Sequence, residues 1–434
     1  MSTALKLSGK RILFASVPAD GHFNPLSGLA IHLKEQGNDV RWYTSAVFSK
    51  KLETYGIPHY RYVKALNLNV DNMEELFPAR KTFTDMIQKL NFDLVEVFAR
   101  RSEEYYEDMK DIYASFPFDI VIADSMFSAI PFIRHKMNIP VISIGIIPLA
   151  AESKDLAPYG LALPPAANEE QRAQYAKMRE DGTNILFKEA VDVYDEILTR
   201  NGVPHTRGML FDILIREASL HLQIGSPGFE YERSDMGGNV RFIGALYPPD
   251  STAHRTEWFD ERLNKYKTAL LVTQGTVDKS MDKLLEPTLA AFKDTDILVI
   301  ATTSGARTEE LRQKYAADNI IVEDYISFGE VMPHVDVYVT NGGYGGTLLG
   351  IQHKLPIVAA GIHEGKSEIC ARVGYFNLGV NLATETPTPD QLRESVQQVL
   401  RDATYAQQVS RLSDEIGEYD AHNLCVQYIQ ELLN

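Results

Sequence analysis

The sequence predicts an α/β protein made of two doubly wound parallel sheets facing each other across a cleft. Three observations carry that prediction. The chain has 434 residues, enough for two domains of ordinary size. Short apolar runs of strand length alternate with stretches whose apolar residues recur at helical spacing, as in sheets buried on both faces. This pattern breaks near Tyr247–Thr256, where YPPDSTAHRT reads as a linker of prolines and small polar residues, and then restarts. The chain is therefore divided into a first domain at 1–247, a second at 257–412, and a terminal helical piece at 413–434 expected to pack back on the first domain.

The elements follow in order. RILFASV from Arg11 is a strand. The loop PADGHFNP follows it, and Pro25 suits the first turn of a helix, where a missing N–H costs nothing. Leu26, Leu29, Ala30 and Leu33 recur on one helical face, Gly37 and Asn38 stop that helix, and DVRWYTS from Asp39 is the next strand. Such a strand–helix–strand unit implies a parallel pair joined by a right-handed crossover. Residues 72–115 read as helices beside the sheet. FDIVIADS from Phe118, IPVISIGI from Ile139, ASLHLQIGS from Ala218 and NVRFIGAL from Asn239 are further strands, with a long Pro- and Ala-containing loop at 151–167. In the second half the strands are TALLVTQGT from Thr268, DILVIATTSG from Asp296, NIIVEDYI from Asn319, VDVYVTNGG from Val335 and LPIVAAGI from Leu355. The stretch from Pro389 onward is mostly helical.

Composition narrows the function. A formal net charge of −16 opposes nucleic acid or an anionic membrane as partner. No run of about 18 apolar residues is present for a membrane span. The apolar stretch Ile12–Val17 is too short for a signal-peptide core. The two cysteines, Cys370 and Cys425, make neither a disulfide framework nor a metal-ligand spacing. The expectation is a cytoplasmic protein with no nucleic-acid partner, no membrane partner and no metal.

Two stretches carry chemistry. TNGGYGGTLLG from Thr340 ends a strand and opens a helix. Gly342, Gly343, Gly345 and Gly346, with Tyr344 among them, allow close approach of backbone to a ligand. The first turn, with Thr347, offers free N–H groups to an anion. The stretch is neither a phosphate loop ending in GK[ST] nor a GxGxxG dinucleotide motif, and a tight turn without ligand is the alternative. A second small-residue turn, Thr273, Gln274, Gly275 and Thr276, ends the first strand of the same half and can hold the same phosphates from the other side.

In the first half, His22 follows the first strand and Asp124 ends FDIVIAD. Ligands of doubly wound sheets bind beyond the carboxyl ends of the strands, so these two side chains can meet there. A carboxylate behind an imidazole makes a general base suited to a hydroxyl nucleophile. A loop-capping histidine and a helix-capping aspartate are the alternatives. Asp20 and Asp119 are the other carboxylates in range.

Taken together, GHFNPLSGLAIHLKEQGNDV near the start, TQGT in the middle, and the block IIVEDYISFGEVMPHVDVYVTNGGYGGTLLGIQHKLPIVAAGIHEGKSEICARVGYFNLGVNL from Ile320 mark a resemblance. The chain resembles the inverting family-1 glycosyltransferases of the GT-B fold, the UDP-glycosyltransferase and macrolide glycosyltransferase group with two Rossmann-like domains. The resemblance implies a nucleotide sugar held by the second half and a small-molecule acceptor held by the first. It implies no metal, because helix-terminal N–H groups neutralise the diphosphate. The implied reaction moves a hexose, by default glucose from UDP-glucose, onto a hydroxyl of a small apolar acceptor such as a phenolic, flavonoid, polyketide or terpenoid. His22 is the implied base and Asp124 its partner.

The resemblance also places Tyr325 and Ile326 at the nucleotide base, and Glu364, Gly365 and Lys366 at the sugar. His363 is a further candidate for a sugar hydroxyl. The apolar side chains of Phe83, Met126 and Phe127 are candidates for the acceptor pocket. The sequence departs from the family at Asn341, which replaces a His, at Phe328, which replaces a Gln, and at Leu349, which replaces the Glu that takes the ribose hydroxyls. These departures keep open the reading of a nucleotide-sugar-binding protein without activity; an epimerase-like GT-B relative that transfers to no acceptor is a further alternative, against which His22 counts.

Overall fold

The computed structural model describes residues 5–248, 258–275, 280–363 and 365–434. The first sheet contains β1 (Arg11–Ala15), β2 (Asp39–Thr44), β3 (His59–Arg61), β4 (Ile120–Asp124), β5 (Val141–Gly145), β6 (Leu220–Gln223) and β7 (Val240–Phe242), in the order β3-β2-β1-β4-β5-β6-β7. The second contains β8 (Thr268–Thr273), β9 (Ile297–Thr302), β10 (Ile320–Glu323), β11 (Val337–Thr340), β12 (Ile357–Ala359) and β13 (Gly379–Asn381), in the order β10-β9-β8-β11-β12-β13. All of these strand pairs are parallel. Helices cover both faces, so β4 and β5 are buried along their whole length and read as unbroken apolar runs.

Two strands add to those expected. β3 and β13 have three residues each and lie at sheet edges, too short for a periodic signal. The first helix also starts earlier than its proline suggested. It spans Asp20–Glu35, with Pro25 inside, so His22 belongs to its first turn and not to a loop before it. Pro25 deletes the hydrogen bond that the Gly21 carbonyl would accept. Gly21 is exposed, so water can replace that bond. The linker expected at Tyr247–Thr256 lies largely outside the described residues.

The two halves share one apolar core. Leu26, Leu29 and Leu33 of the first helix belong to the same buried cluster as Val426 and Ile429, and Ile224 and Phe229 to the same cluster as Tyr344 and Leu348. The helix Ala421–Leu433 lies on the helix Asp20–Glu35, where the His32 and His422 rings stack at 4.6 Å. The preceding helix, Ala403–Gly417, packs on Tyr344–Gln352.

A charged cluster crosses between the halves. The Arg372 guanidinium, 1% exposed, pairs with Glu230 and Glu368 and lies 4.2 Å from the Tyr231 ring centre. Burial alone would push the Glu230 carboxyl up, but Arg372 and Arg233 outweigh it and hold it low. Glu368 also accepts the N–H groups of Gly160 and Ala162, at 2.7 and 2.8 Å, which ties down the loop at 151–167. Removing one member of such a group typically costs about 3–5 kcal/mol, because the other charge is left buried and unpaired.

Candidate active site

Strand order reverses between β1 and β4 in the first sheet and between β8 and β11 in the second. Doubly wound sheets bind ligands at these reversals, and each reversal here is furnished differently.

At the first, Nδ1 of His22 lies 2.9 Å from an Asp124 carboxylate oxygen. That oxygen also accepts the Met126 N–H at 2.9 Å, and its twin accepts the Val17 N–H at 2.7 Å. Asp124 is fully buried, whereas the His22 side chain remains 16% exposed. A carboxylate with three donors around it is fixed in place and stays an acceptor. It therefore holds the proton on Nδ1 and leaves the lone pair on Nε2. Among the described residues Nε2 has no hydrogen-bond partner. The alternative carboxylates are placed elsewhere. Asp20 pairs with Lys51 at 2.5 Å. Asp119 caps the far end of the sheet, accepting the Arg11 N–H at 2.8 Å.

Beside Met126 lies a small, mainly apolar cavity. Ile147, Pro148, Ala150, Phe211 and Ile215 form its apolar wall, and Ser125, His221 and Gln223 its polar side. Burial lowers the His221 imidazole to about 4, so it is neutral at physiological pH.

At the second reversal the distinguishing features belong to the backbone. Gly342 has φ +79, and a Cβ there would stand 2.4 Å from the Cys370 sulfur. A Cβ on Gly361 would stand 2.1 Å from the Asn341 carbonyl oxygen. The helix Tyr344–Gln352 starts here with Gly343 as its N-cap, leaving its first N–H groups without intrahelical partners. The next helix, Lys366–Tyr375, starts beside it, with Lys366 packed against the positions of Gly342 and Gly361. Asn341 donates to the Gln274 carbonyl and so ties the glycine loop to the turn after β8.

Comparison with known proteins decides the family. Residues 286–431 match the model of the C-terminal domain of erythromycin biosynthesis protein CIII-like proteins. The chain is 32% identical over 428 residues to 4'-demethylrebeccamycin synthase of Lentzea aerocolonigenes, covering 98% of this chain and 100% of that one. It is 30% identical to UDP-glycosyltransferase 2 of Phaeomoniella chlamydospora, covering 97% and 95%. The chain belongs to the GT-B glycosyltransferases. The crystal structure of the glycotransferase of kitacinnamycin shares the fold, with a TM-score of 0.77, 19% identity, and coverage of 98% and 99%.

In this glycosyltransferase the residues expected from sequence fall into distinct places. His22 and Asp124 meet, and Met126 lines the cavity. Phe127 does not: its ring is fully buried and stacks on Tyr105 at 4.9 Å. Phe83 packs on Phe92 at 5.4 Å and is absent from the cavity wall. Among the donor-side residues, the Gln274 side chain is structural, accepting the Leu284 N–H at 3.1 Å and donating to the Ser280 carbonyl at 2.6 Å. The Thr273 hydroxyl accepts the Gly275 N–H at 3.3 Å. Ile326 and Thr347 are buried, and the Thr347 hydroxyl has no hydrogen-bond partner among the described residues. The Tyr344 side chain turns away from the donor loop into the first domain, where its hydroxyl donates to the Ile224 carbonyl at 2.8 Å. Tyr325 is 72% exposed with its hydroxyl on the Ser304 carbonyl at 2.8 Å, so its ring face is free to stack. Gly345 is exposed and Gly346 half-buried at the helix start. Thr276 and Glu364 lie outside the described residues.

Sequence reasoning missed four contributors: Gly361, Ser125, His221 and Gln223. Gly361 closes the strand LPIVAAG, where a lone glycine gives little signal. His221 and Gln223 alternate on β6 as polar residues in an apolar strand, a pattern equally expected of a strand with one face in water.

Proposed function

We propose that this glycosyltransferase moves a hexose from a nucleoside diphosphate sugar, UDP-glucose by default, onto a hydroxyl of a small apolar acceptor, with inversion at the anomeric carbon. The observation that carries this is the His22–Asp124 pair at 2.9 Å, with Nε2 unpaired and a mainly apolar cavity alongside. The acceptor oxygen attacks the anomeric carbon, the bond from that carbon to the diphosphate oxygen breaks, and the hydroxyl proton passes to Nε2 of His22. Asp124 stabilises the imidazolium that forms. The diphosphate leaves into the N–H groups of the helix Tyr344–Gln352, which take up its negative charge without a step that needs a metal. Tyr325 supplies a ring face for the nucleotide base, and Gly365 and Lys366 border the sugar.

A second reading of the nucleotide has its own support. Leu349, where the family carries the ribose-binding Glu, packs half-buried on the core of the second domain and offers no acceptor to a ribose hydroxyl. A thymidine diphosphate sugar, which lacks the 2′-hydroxyl, gives up less there. The test is a panel of UDP- and TDP-hexoses with flavonol, polyketide and terpenoid alcohols, read by mass spectrometry. Glycosylated product with a UDP-hexose supports the first reading, and product confined to TDP-hexoses supports the second. Nucleotide binding without product across the panel overturns transfer.

A further inference from the structure

The side chain of Tyr344 leaves the glycine loop and enters the first domain. Its ring stacks with Phe229, 13° from parallel and 6.1 Å between centres. Its hydroxyl donates to the Ile224 carbonyl at 2.8 Å and lies 3.3 Å from the side-chain nitrogen of Gln223. Gly225, at φ +96, passes so close that a Cβ there would stand 3.1 Å from this hydroxyl. The ring is thus fixed from three sides by residues that follow β6.

Gln223 is fully buried and works in the opposite direction as well. Its amide nitrogen reaches the carbonyls of Ile147 at 2.8 Å and Gly145 at 3.4 Å, and both of those residues line the cavity beside Met126. Its amide oxygen faces His221 Nε2 at 3.2 Å, and His221 Nδ1 faces the Ser143 hydroxyl at 3.1 Å. One buried amide therefore touches both the wall of the acceptor cavity and the first residue of the helix whose N–H groups face the donor.

We propose that Gln223 and Tyr344 form a cross-domain positioning link, through which the first domain sets the placement of the phosphate-binding helix start. Neither side chain touches the nucleotide. The link acts by fixing the first helical residue of the donor loop relative to the wall that seats the acceptor. A hydroxyl attacking an anomeric carbon is sensitive to displacements of about an ångström, and this contact spans the two half-sites. The inference rests on the glycosyltransferase reading of the glycine loop, and it predicts that a residue of the acceptor domain controls nucleotide affinity.

The experiment is calorimetric titration of the full chain with UDP and with TDP, using whichever binds more tightly, in wild type, Tyr344→Phe, Gln223→Met and the double variant. Phenylalanine keeps the stacking on Phe229 and removes only the hydroxyl. Each single variant is expected to weaken binding about 5-fold, the effect of one ordinary hydrogen bond, and the double variant to bind no more weakly than the worse single one, since both cut the same link. Wild-type affinity in both single variants overturns the proposal, and so do losses that simply multiply in the double variant. A lower melting temperature with unchanged affinity is the mark of a purely structural role and also overturns it. Should Gln223→Met not fold, Tyr344→Phe decides alone by its affinity. A wild-type chain that binds neither nucleotide overturns the donor-site reading itself, and this link with it.

Discussion

The two sheet reversals occupy the same place in the same architecture and use different parts of the chain. Beyond β1 and β4 the chemistry belongs to side chains: an imidazole held by a buried carboxylate that is itself held by two backbone N–H groups. Beyond β8 and β11 it belongs to the backbone, with glycines where any Cβ would strike sulfur or carbonyl oxygen. A proton must be accepted at one basic atom, and a side chain supplies it. A diphosphate carries spread charge, and a ring of N–H dipoles meets it without titrating. The difference predicts which kind of substitution each region tolerates.

The largest expected effect is at the first reversal. His22→Ala should lower turnover about 10³-fold and Asp124→Asn about 10²-fold, the usual range for losing a general base or its orienting partner. Calorimetry should show nucleotide affinity unchanged in both. Turnover near wild type in His22→Ala would break the assignment of the proton to this site.

At the second reversal the order inverts: adding an atom should do more harm than removing a side chain. Gly361→Ala forces its Cβ against the Asn341 carbonyl and should cost about 2 kcal/mol of stability, as overpacking does. It should also weaken nucleotide binding at least about tenfold, since the glycine loop must shift. Asn341→Ala gives up one side-chain hydrogen bond to Gln274 and should weaken binding by about 5-fold or less. Thermal melts and titrations of the pair would sharpen the comparison, and equal effects would contradict it.

The last effect concerns acid. His221 is lowered to about 4 by burial, against about 6.5 when unfolded. Its neutral form therefore contributes stability that is complete above about pH 6.5 and lost as pH falls towards about 4, up to about 3 kcal/mol. Denaturant midpoints of His221→Gln should fall less steeply than those of wild type across that window. Parallel slopes would show that the polar side of the cavity beside Met126 is not a source of acid sensitivity.

What the sequence made legible follows from length and register. Runs such as FDIVIADS and TALLVTQGT announce buried strands because β4 is sheltered along its whole length and β8 along all but its first residue, whereas His59–Arg61 and Gly379–Asn381 are three-residue edges that announce nothing. The meeting of Asp124 and His22 follows from β1 and β4 being neighbours in the sheet, which brings their carboxyl ends together. Side-chain direction after a strand was not predictable. Met126 and Phe127 are adjacent and apolar, yet one lines the cavity and the other packs in the core. Tyr344 sits in the middle of a glycine motif, and nothing local reveals that its ring is committed to the other domain. Gln223 carried a visible signal, polarity on a buried strand, whose meaning depends on a partner 121 residues away in sequence.

The helix Ala421–Leu433 lies against the helix that bears His22, and its side chains complete the first domain's core. This has a consequence for the order of synthesis. The first domain emerges early, but the flank of its His22-bearing helix that meets Ala421–Leu433, around His32, stays uncovered until that helix has been made. At about 5–20 residues per second that interval is roughly tens of seconds. During it the nascent first domain lacks that cover, so the moment at which the helix bearing His22 is fixed in place is set by the synthesis of residues 421–433.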